Sequence, residues 1–115
     1  MKLNRAILSI ILLTIAFTGC SSEKDTVKIA FIGPLTGGVS ANGLGGRNSA
    51  QLAVSLHNAK GSGSYTYELV TLDDECKPNI GVQVATKVAA DKHVIAGVTH
   101  YCSAVAMGTV DVYHK

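Results

Sequence analysis

The regular alternation of short apolar runs with helix-like stretches is the feature that most constrains the fold of this chain. From Val27 to Ile32 the sequence is apolar apart from Lys28, as expected for a strand covered on both faces in a parallel sheet. Tyr65 to Leu72 alternates between apolar and polar side chains, which suits an edge strand. His93 to Val98 is a second continuous apolar run and is predicted to be a buried strand.

Helical segments are predicted between and after these strands. A glycine-rich loop from Gly33 to Gly46 is expected to lead into a helix of about ten to fourteen residues, with Gly61 as its C-terminal cap. Pro78 is placed to begin a second helix that runs to Asp91. Apolar residues repeat every four positions along it, at Ile80, Val84 and Val88. A third helix is predicted from Ser103 to His114.

The order βαβαβα predicts an α/β fold, a partial doubly wound parallel sheet. Right-handed crossovers give the strand order 2-1-3. Ligands bind at the carboxyl ends of strands in such sheets, where three loops converge: 33–46, 73–78 and 99–103.

The amino terminus indicates export. Lys2 and Arg5 precede an apolar run from Ala6 to Thr18, which is too short to span a bilayer as a helix. Residues 1–19 are therefore interpreted as a signal peptide. No later run is long enough for a transmembrane helix.

The end of this segment, Phe17 to Cys20, resembles a lipoprotein box in which Cys20 is lipidated, although Phe17 stands where leucine is more usual. The alternative is an ordinary cleavage site with an incidental cysteine. Residues 20–26 would then form a polar tether, and residues 27–115 the folded domain. This predicts a periplasmic or cell-surface lipoprotein that contacts the membrane only through its lipid anchor.

Charge argues against nucleic acid as a partner. The chain has ten basic and eight acidic residues, and two of the ten, Lys2 and Arg5, lie in the predicted signal peptide. Eight of each sign remain, so the mature domain is close to neutral. No cluster of lysine and arginine remains to bind nucleic acid or an anionic membrane surface.

If Cys20 carries lipid, Cys76 and Cys102 are left as a pair. Export favours a disulfide between them, while two free buried thiols or half of a metal site are the alternatives. The wide spacing, the absence of CxxC and the single neighbouring His100 do not make a metal ligand set. No metal and no cofactor are predicted.

An exported α/β enzyme is the less favoured alternative. Asn48 occupies the last position of a would-be GxGxxG beginning at Gly43, and neither GxxxxGK[ST] nor GxSxG occurs.

Ser103 lies where the last strand gives way to the third helix. A helix that begins there aims free backbone N–H groups and a hydroxyl at one small volume, which suits a carboxylate. A simple N-cap is the alternative role for Ser103.

Four segments in order, 27–37, 58–61, 73–78 and 100–103, resemble the amino-terminal part of the leucine/isoleucine/valine-binding protein family. These are periplasmic substrate-binding proteins of branched-chain amino acid ABC transporters. The resemblance implies a bilobal type I periplasmic-binding fold that closes over a free amino acid, with residues 27–115 as the first half of lobe one. It implies a Cys76–Cys102 disulfide, and an ABC permease and ATPase as partners. The alternative that the chain is a ligand-binding sensor of the same fold, for an amide or another small solute, stays open.

The resemblance also implies which residues contact the ligand. Ser103 matches a serine whose hydroxyl and neighbouring N–H groups, including that of Ala104, hold the ligand α-carboxylate. Tyr101 and Cys102 match positions that wall an aliphatic pocket. Asn42 stands where some members place an aromatic ring, which suggests a smaller or more polar ligand.

Three other features receive structural interpretations. Asn42-Gly43 could instead be a tight turn with positive φ. His100 is interpreted as structural, and Asp73 to Glu75 as a solvated turn.

Overall fold

The structure is a computed structural model that describes residues 24–114. Strands and helices alternate along it: β1 (Asp25–Gly33), α1 (Ser40–Lys60), β2 (Tyr65–Asp73), α2 (Pro78–Ala90), β3 (Val94–Thr99) and α3 (Ser103–Tyr113). The predicted signal peptide and Cys20 lie outside the described residues. Among the helices of residues 24–114, none combines the length and the apolar character that a membrane crossing requires.

The three strands form one parallel sheet in the order β2-β1-β3, which confirms the predicted fold class. On one side of β1, Gly33 lies opposite Asp73 of β2. On the other side, Ile32 lies opposite Thr99 of β3. All three strands therefore end at the same edge of the sheet, and the loops that follow them are neighbours there.

Helices cover both faces of β1. The buried side chains of Ala30 and Ile32 form a core with Val88 of α2. Phe31 points to the opposite face because successive side chains alternate along a strand. There its ring lies against Gly46 of α1, 3.2 Å from the place where a Cβ would be. This two-sided burial explains the continuous apolar run in β1.

The prediction of a short helix after a long glycine-rich loop is wrong. α1 has 21 residues and includes residues 40–46 of the predicted loop, and Asn42-Gly43 is helical with no positive φ. Close packing is the reason, since a Cβ on Gly43 would lie 1.9 Å from the carbonyl oxygen of Pro34. Glycine at this position lets the first turns of α1 contact the backbone after β1. The predicted cap at Gly61 is confirmed, with φ of 63°.

Other boundaries shift by one or two residues. β1 begins at Asp25, inside the segment predicted to be a tether, because Asp25 and Thr26 pair with Tyr65 and Thr66 of β2. α2 begins at Pro78, as predicted.

The prediction that the third strand is buried is wrong for the described residues. Five of the six residues of β3 are exposed, and the side chains of Ile95 and Val98 are 60% and 56% exposed. β3 forms an edge of the described sheet, and α3 packs mainly against α2 instead of over β3. The two helices come close at Gly81, where a Cβ would lie 2.2 Å from Cγ1 of Val105.

Candidate functional site

Hydrogen bonds from Asp73, the last residue of β2, join two of the loops at the carboxyl edge. Its Oδ1 atom accepts hydrogen bonds from the backbone N–H groups of Leu35 and Glu75, each at 2.8 Å. Its Oδ2 atom accepts a hydrogen bond from the Thr36 hydroxyl at 2.6 Å. One carboxyl group therefore holds the loop before α1 against the loop before α2.

These contacts predict an acid-dependent stability. Partial burial alone would raise the pKa of Asp73, but hydrogen bonds from Thr36 and from the N–H groups of Glu75 and Leu35 bring it below its ordinary value of 3.8. The resulting stabilisation is complete above that value and is lost as the pH falls through the lower pKa of the folded state. We expect the difference in unfolding free energy between the wild type and Asp73→Asn to be largest near neutral pH and to shrink below about pH 4.

Denaturant unfolding of both proteins at a series of pH values measures this difference. Asp91 also contributes in acid, because its hydrogen bond from Lys28 lowers its pKa to about 2. Its contribution is common to both proteins and cancels. A difference that stays constant down to pH 2 would contradict the role given to Asp73.

Asp74 and His100 form a buried pair, so the interpretation of Asp73 to Glu75 as a solvated turn is wrong. Their side chains are 0% and 1% exposed, and Nδ1 of His100 lies 2.9 Å from Oδ2 of Asp74. Since a carboxylate only accepts hydrogen bonds, Nδ1 is the donor. An imidazole with that single proton accepts at Nε2, which lies 3.0 Å from the Tyr113 hydroxyl. The other oxygen of Asp74 accepts the backbone N–H of Cys76 at 2.9 Å.

A disulfide joins the same two loops. Cys76 and Cys102 are bonded, with their Cα atoms 5.6 Å apart, a usual separation for such a bridge. Their sequence separation is 26 residues, so the chain-entropy model gives a stabilisation of about 3 to 4 kcal/mol. Together with the Asp74–His100 pair, the bridge holds the loop before α2 and the start of α3 at two points.

The amino terminus of α3 leaves hydrogen-bond donors free. Cys102 is the N-cap residue and Ser103 is the first helical residue, so the alternative role of Ser103 as an N-cap is wrong. The N–H groups of Val105 and Ala106 both donate to the Cys102 carbonyl oxygen at 3.0 Å. Within residues 24–114, the N–H groups of Ser103 and Ala104 have no acceptor, and both residues are exposed. Two N–H donors therefore lie beside a hydroxyl at the positive end of the helix dipole.

A pocket of about 200 Å³ lies next to this helix terminus, between the start of α1 and the end of β3. Apolar side chains contribute to its lining: Phe31 and Val98, which lie opposite each other in the sheet. Asn42 and Tyr101 also line it, and the Asn42 side-chain amide donates a hydrogen bond to the Tyr101 hydroxyl. The structure thus brings these two predicted residues together. Cys102, Ser103 and Ala104 follow Tyr101 along the chain but do not line this pocket.

Sequence reasoning interpreted His100 as structural but missed its partner, and it missed the structural importance of Asp73 and Asp74. A usable signal was present, because the acidic residues come directly after a predicted strand at the carboxyl edge. In the observed register, Asp74 and His100 each follow the last paired residue of a strand that neighbours β1. They therefore reach the same edge of the sheet.

The described residues form an α/β fold built on a three-stranded parallel sheet. The pocket lies at the carboxyl edge of this sheet, where open α/β proteins bind their ligands. The profile of the periplasmic binding protein family matches residues 26–115. The chain belongs to the periplasmic binding protein family.

Individual relatives confirm the predicted resemblance. The leucine-, isoleucine-, valine-, threonine- and alanine-binding protein of Pseudomonas aeruginosa is 37% identical over 84% of this chain and 26% of its own length. A possible leucine/isoleucine/valine-binding protein from Rhodopirellula baltica has the same fold, with a TM-score of 0.75 at 20% identity over 84% of this chain and 26% of its own.

A third similar protein is the branched-chain amino acid transporter substrate-binding protein LivJ of Streptococcus pneumoniae, solved in complex with isoleucine. Its TM-score is 0.66 at 26% identity, over 76% of this chain and 27% of its own. This chain therefore spans about a quarter of the length of the relatives that it matches.

Proposed function

We propose that the full chain carrying these residues is the substrate-binding component of an ABC importer for amino acids of the branched-chain type. It binds a free amino acid, delivers it to a permease and ATPase complex, and performs no catalysis. The observation that carries this proposal is the amino terminus of α3, which is fixed by the disulfide and presents free donors beside an apolar pocket.

The α-carboxylate is held by the N–H groups of Ser103 and Ala104 and by the Ser103 hydroxyl. A helix amino terminus carries about half a positive charge, so it stabilises an anion without a lysine or arginine. Cys102 in the disulfide and His100 in its buried pair restrict the loop on the amino-terminal side of these donors. Donors that are already ordered lose little entropy when the ligand binds.

The ligand side chain enters the neighbouring pocket, where Phe31 and Val98 provide apolar contacts. Tyr101 adds an aromatic wall at its exposed rim. No acidic side chain lines this pocket within the described part of the chain. The residues that line the pocket therefore supply no carboxylate for the ligand ammonium group, and the 115 residues alone are expected to bind leucine or valine very weakly.

Export and anchoring complete the proposal. Residues 1–19 act as a signal peptide, Cys20 is lipidated, and a short tether connects it to the domain that begins near β1. Replacement of Cys20 by alanine is expected to move the protein from the membrane fraction to the soluble fraction, which fractionation of cells measures directly.

Replacing Ser103 with alanine tests the binding site. Calorimetry on the full chain with L-valine and L-leucine is expected to show a loss of affinity of roughly tenfold or more, because a hydrogen bond to a charged group is lost. Ser55→Ala is the matched control, since Ser55 is exposed in the middle of α1 and away from the pocket. Equal affinities for both variants and the wild type would overturn the proposed carboxylate site.

A further inference from the structure

We propose that the hydrogen-bonded pair of Asn42 and Tyr101 makes the site selective for β-branched amino acids that carry a side-chain hydroxyl, with threonine preferred to its isostere valine. This inference rests on the proposed function and narrows the ligand class of the same site. It is based on which polar atoms face the pocket and which of them are free.

Most of the pocket lining offers a ligand no side-chain hydrogen bond. Phe31 and Val98 are apolar, and three glycines complete that part of the wall. Ile32 and Thr99 also belong to the lining, but they lie opposite each other in the sheet and their side chains are on the other face, toward α2. His100 also lines the pocket, but both nitrogens of its ring are engaged by Asp74 and Tyr113. An aliphatic group of the ligand therefore finds complementary contacts over most of this surface.

The Asn42–Tyr101 pair is the exception. Its two side chains come from the first turn of α1 and from the loop before α3, so the pair bridges two sides of the pocket. An amide has two N–H donors and one carbonyl acceptor, and a phenol has one donor and one acceptor oxygen. Whichever end of the amide faces Tyr101, the pair keeps at least one donor and one acceptor for another group.

A ligand hydroxyl satisfies both the free donor and the free acceptor of the pair, because it donates one hydrogen bond and accepts another. Threonine combines that hydroxyl with a methyl group that packs on the apolar wall. Valine presents a methyl group at the same place, which displaces water from the pair without replacing its hydrogen bonds. A polar group that loses its partner on binding costs more than a missing methyl contact does.

Calorimetry on the full chain with L-threonine and L-valine measures the preference. The wild type is expected to bind threonine roughly tenfold more tightly than valine. This ratio corresponds to the free-energy difference between a ligand that makes one good hydrogen bond and a ligand that leaves the polar group unsatisfied. Asn42→Leu is expected to reverse the order, because leucine offers only apolar contact. Tyr101→Phe keeps the ring and removes the hydroxyl, so it should weaken threonine binding and leave valine binding nearly unchanged.

Asn48→Leu is the matched control, since it is the same substitution in the same helix at an exposed position that does not line the pocket. It should keep the wild-type preference, and thermal unfolding of all variants checks that the fold is retained. A wild type that prefers valine, or an Asn42→Leu variant with an unchanged ratio, would overturn the inference while leaving an amino acid site in place. Failure of the wild type to bind any amino acid would instead overturn the proposed function, and the inference with it.

Discussion

Replacing His100 with alanine is expected to lower the free energy of unfolding by about 3 to 5 kcal/mol. The substitution removes the donor that faces Asp74, whose carboxyl group is fully buried. A buried charged group without its partner keeps its desolvation penalty and loses the compensating contact. His100 also has φ of 40°, in the left-handed region, which alanine tolerates poorly. Denaturant unfolding of the full chain measures the loss.

Two further variants separate the causes. His93→Ala is the matched control, because the His93 side chain is 62% exposed and its contact with Asp91 is on the surface. Its effect should stay within about 0.5 kcal/mol. Adding Asp74→Asn to His100→Ala should recover part of the loss, since a neutral amide is less costly to bury than a carboxylate. Equal effects of His100→Ala and His93→Ala would show that the buried pair does not hold the loops.

The same substitution at two glycines of α1 is expected to have opposite effects. Gly43→Ala places a Cβ 1.9 Å from the Pro34 carbonyl oxygen, so helix and loop must separate by more than 1 Å. We expect the free energy of unfolding to fall by about 3 kcal/mol, which is at the upper end of the usual cost of overpacking. The cost is high because the obstacle is a backbone atom and not a flexible side chain. Gly45→Ala meets nothing within 4 Å and should stabilise the helix by up to about 1 kcal/mol.

Thermal unfolding of the full chain gives both values under one set of conditions. Gly43 also lines the pocket, so its substitution should weaken amino acid binding, whereas Gly45→Ala should not. Similar stabilities for the two variants would contradict the close contact between α1 and the end of β1.

The sequence was sufficient to predict the order of the elements and the strand order of the sheet. Continuous apolar runs, the Pro78 helix start and the Gly61 cap are local signals, and right-handed crossovers leave few topologies to consider. The start of α1 was not predictable in this way. Glycine disfavours helices in isolation, and only the approach of Gly43 to Pro34 in the folded chain explains its use there.

Parts of the candidate site depend on contacts between residues far apart in sequence. Asp74 and His100 are 26 residues apart, so nothing local distinguishes a buried acid from a solvated one. The hydrogen bond between Asn42 and Tyr101 spans 59 residues and follows from the packing of α1 beside the end of β3. By contrast, the helix start at Ser103 followed from local pattern alone.

The most direct test of the account is a crystal structure of the full chain with a bound amino acid. The distances to measure run from the ligand carboxylate oxygens to the backbone nitrogens of Ser103 and Ala104. We predict at least one distance of about 2.7 to 3.2 Å to each nitrogen, with the ligand side chain in the pocket beside Tyr101. A carboxylate bound elsewhere, with both nitrogens more than about 4 Å away, would contradict the account.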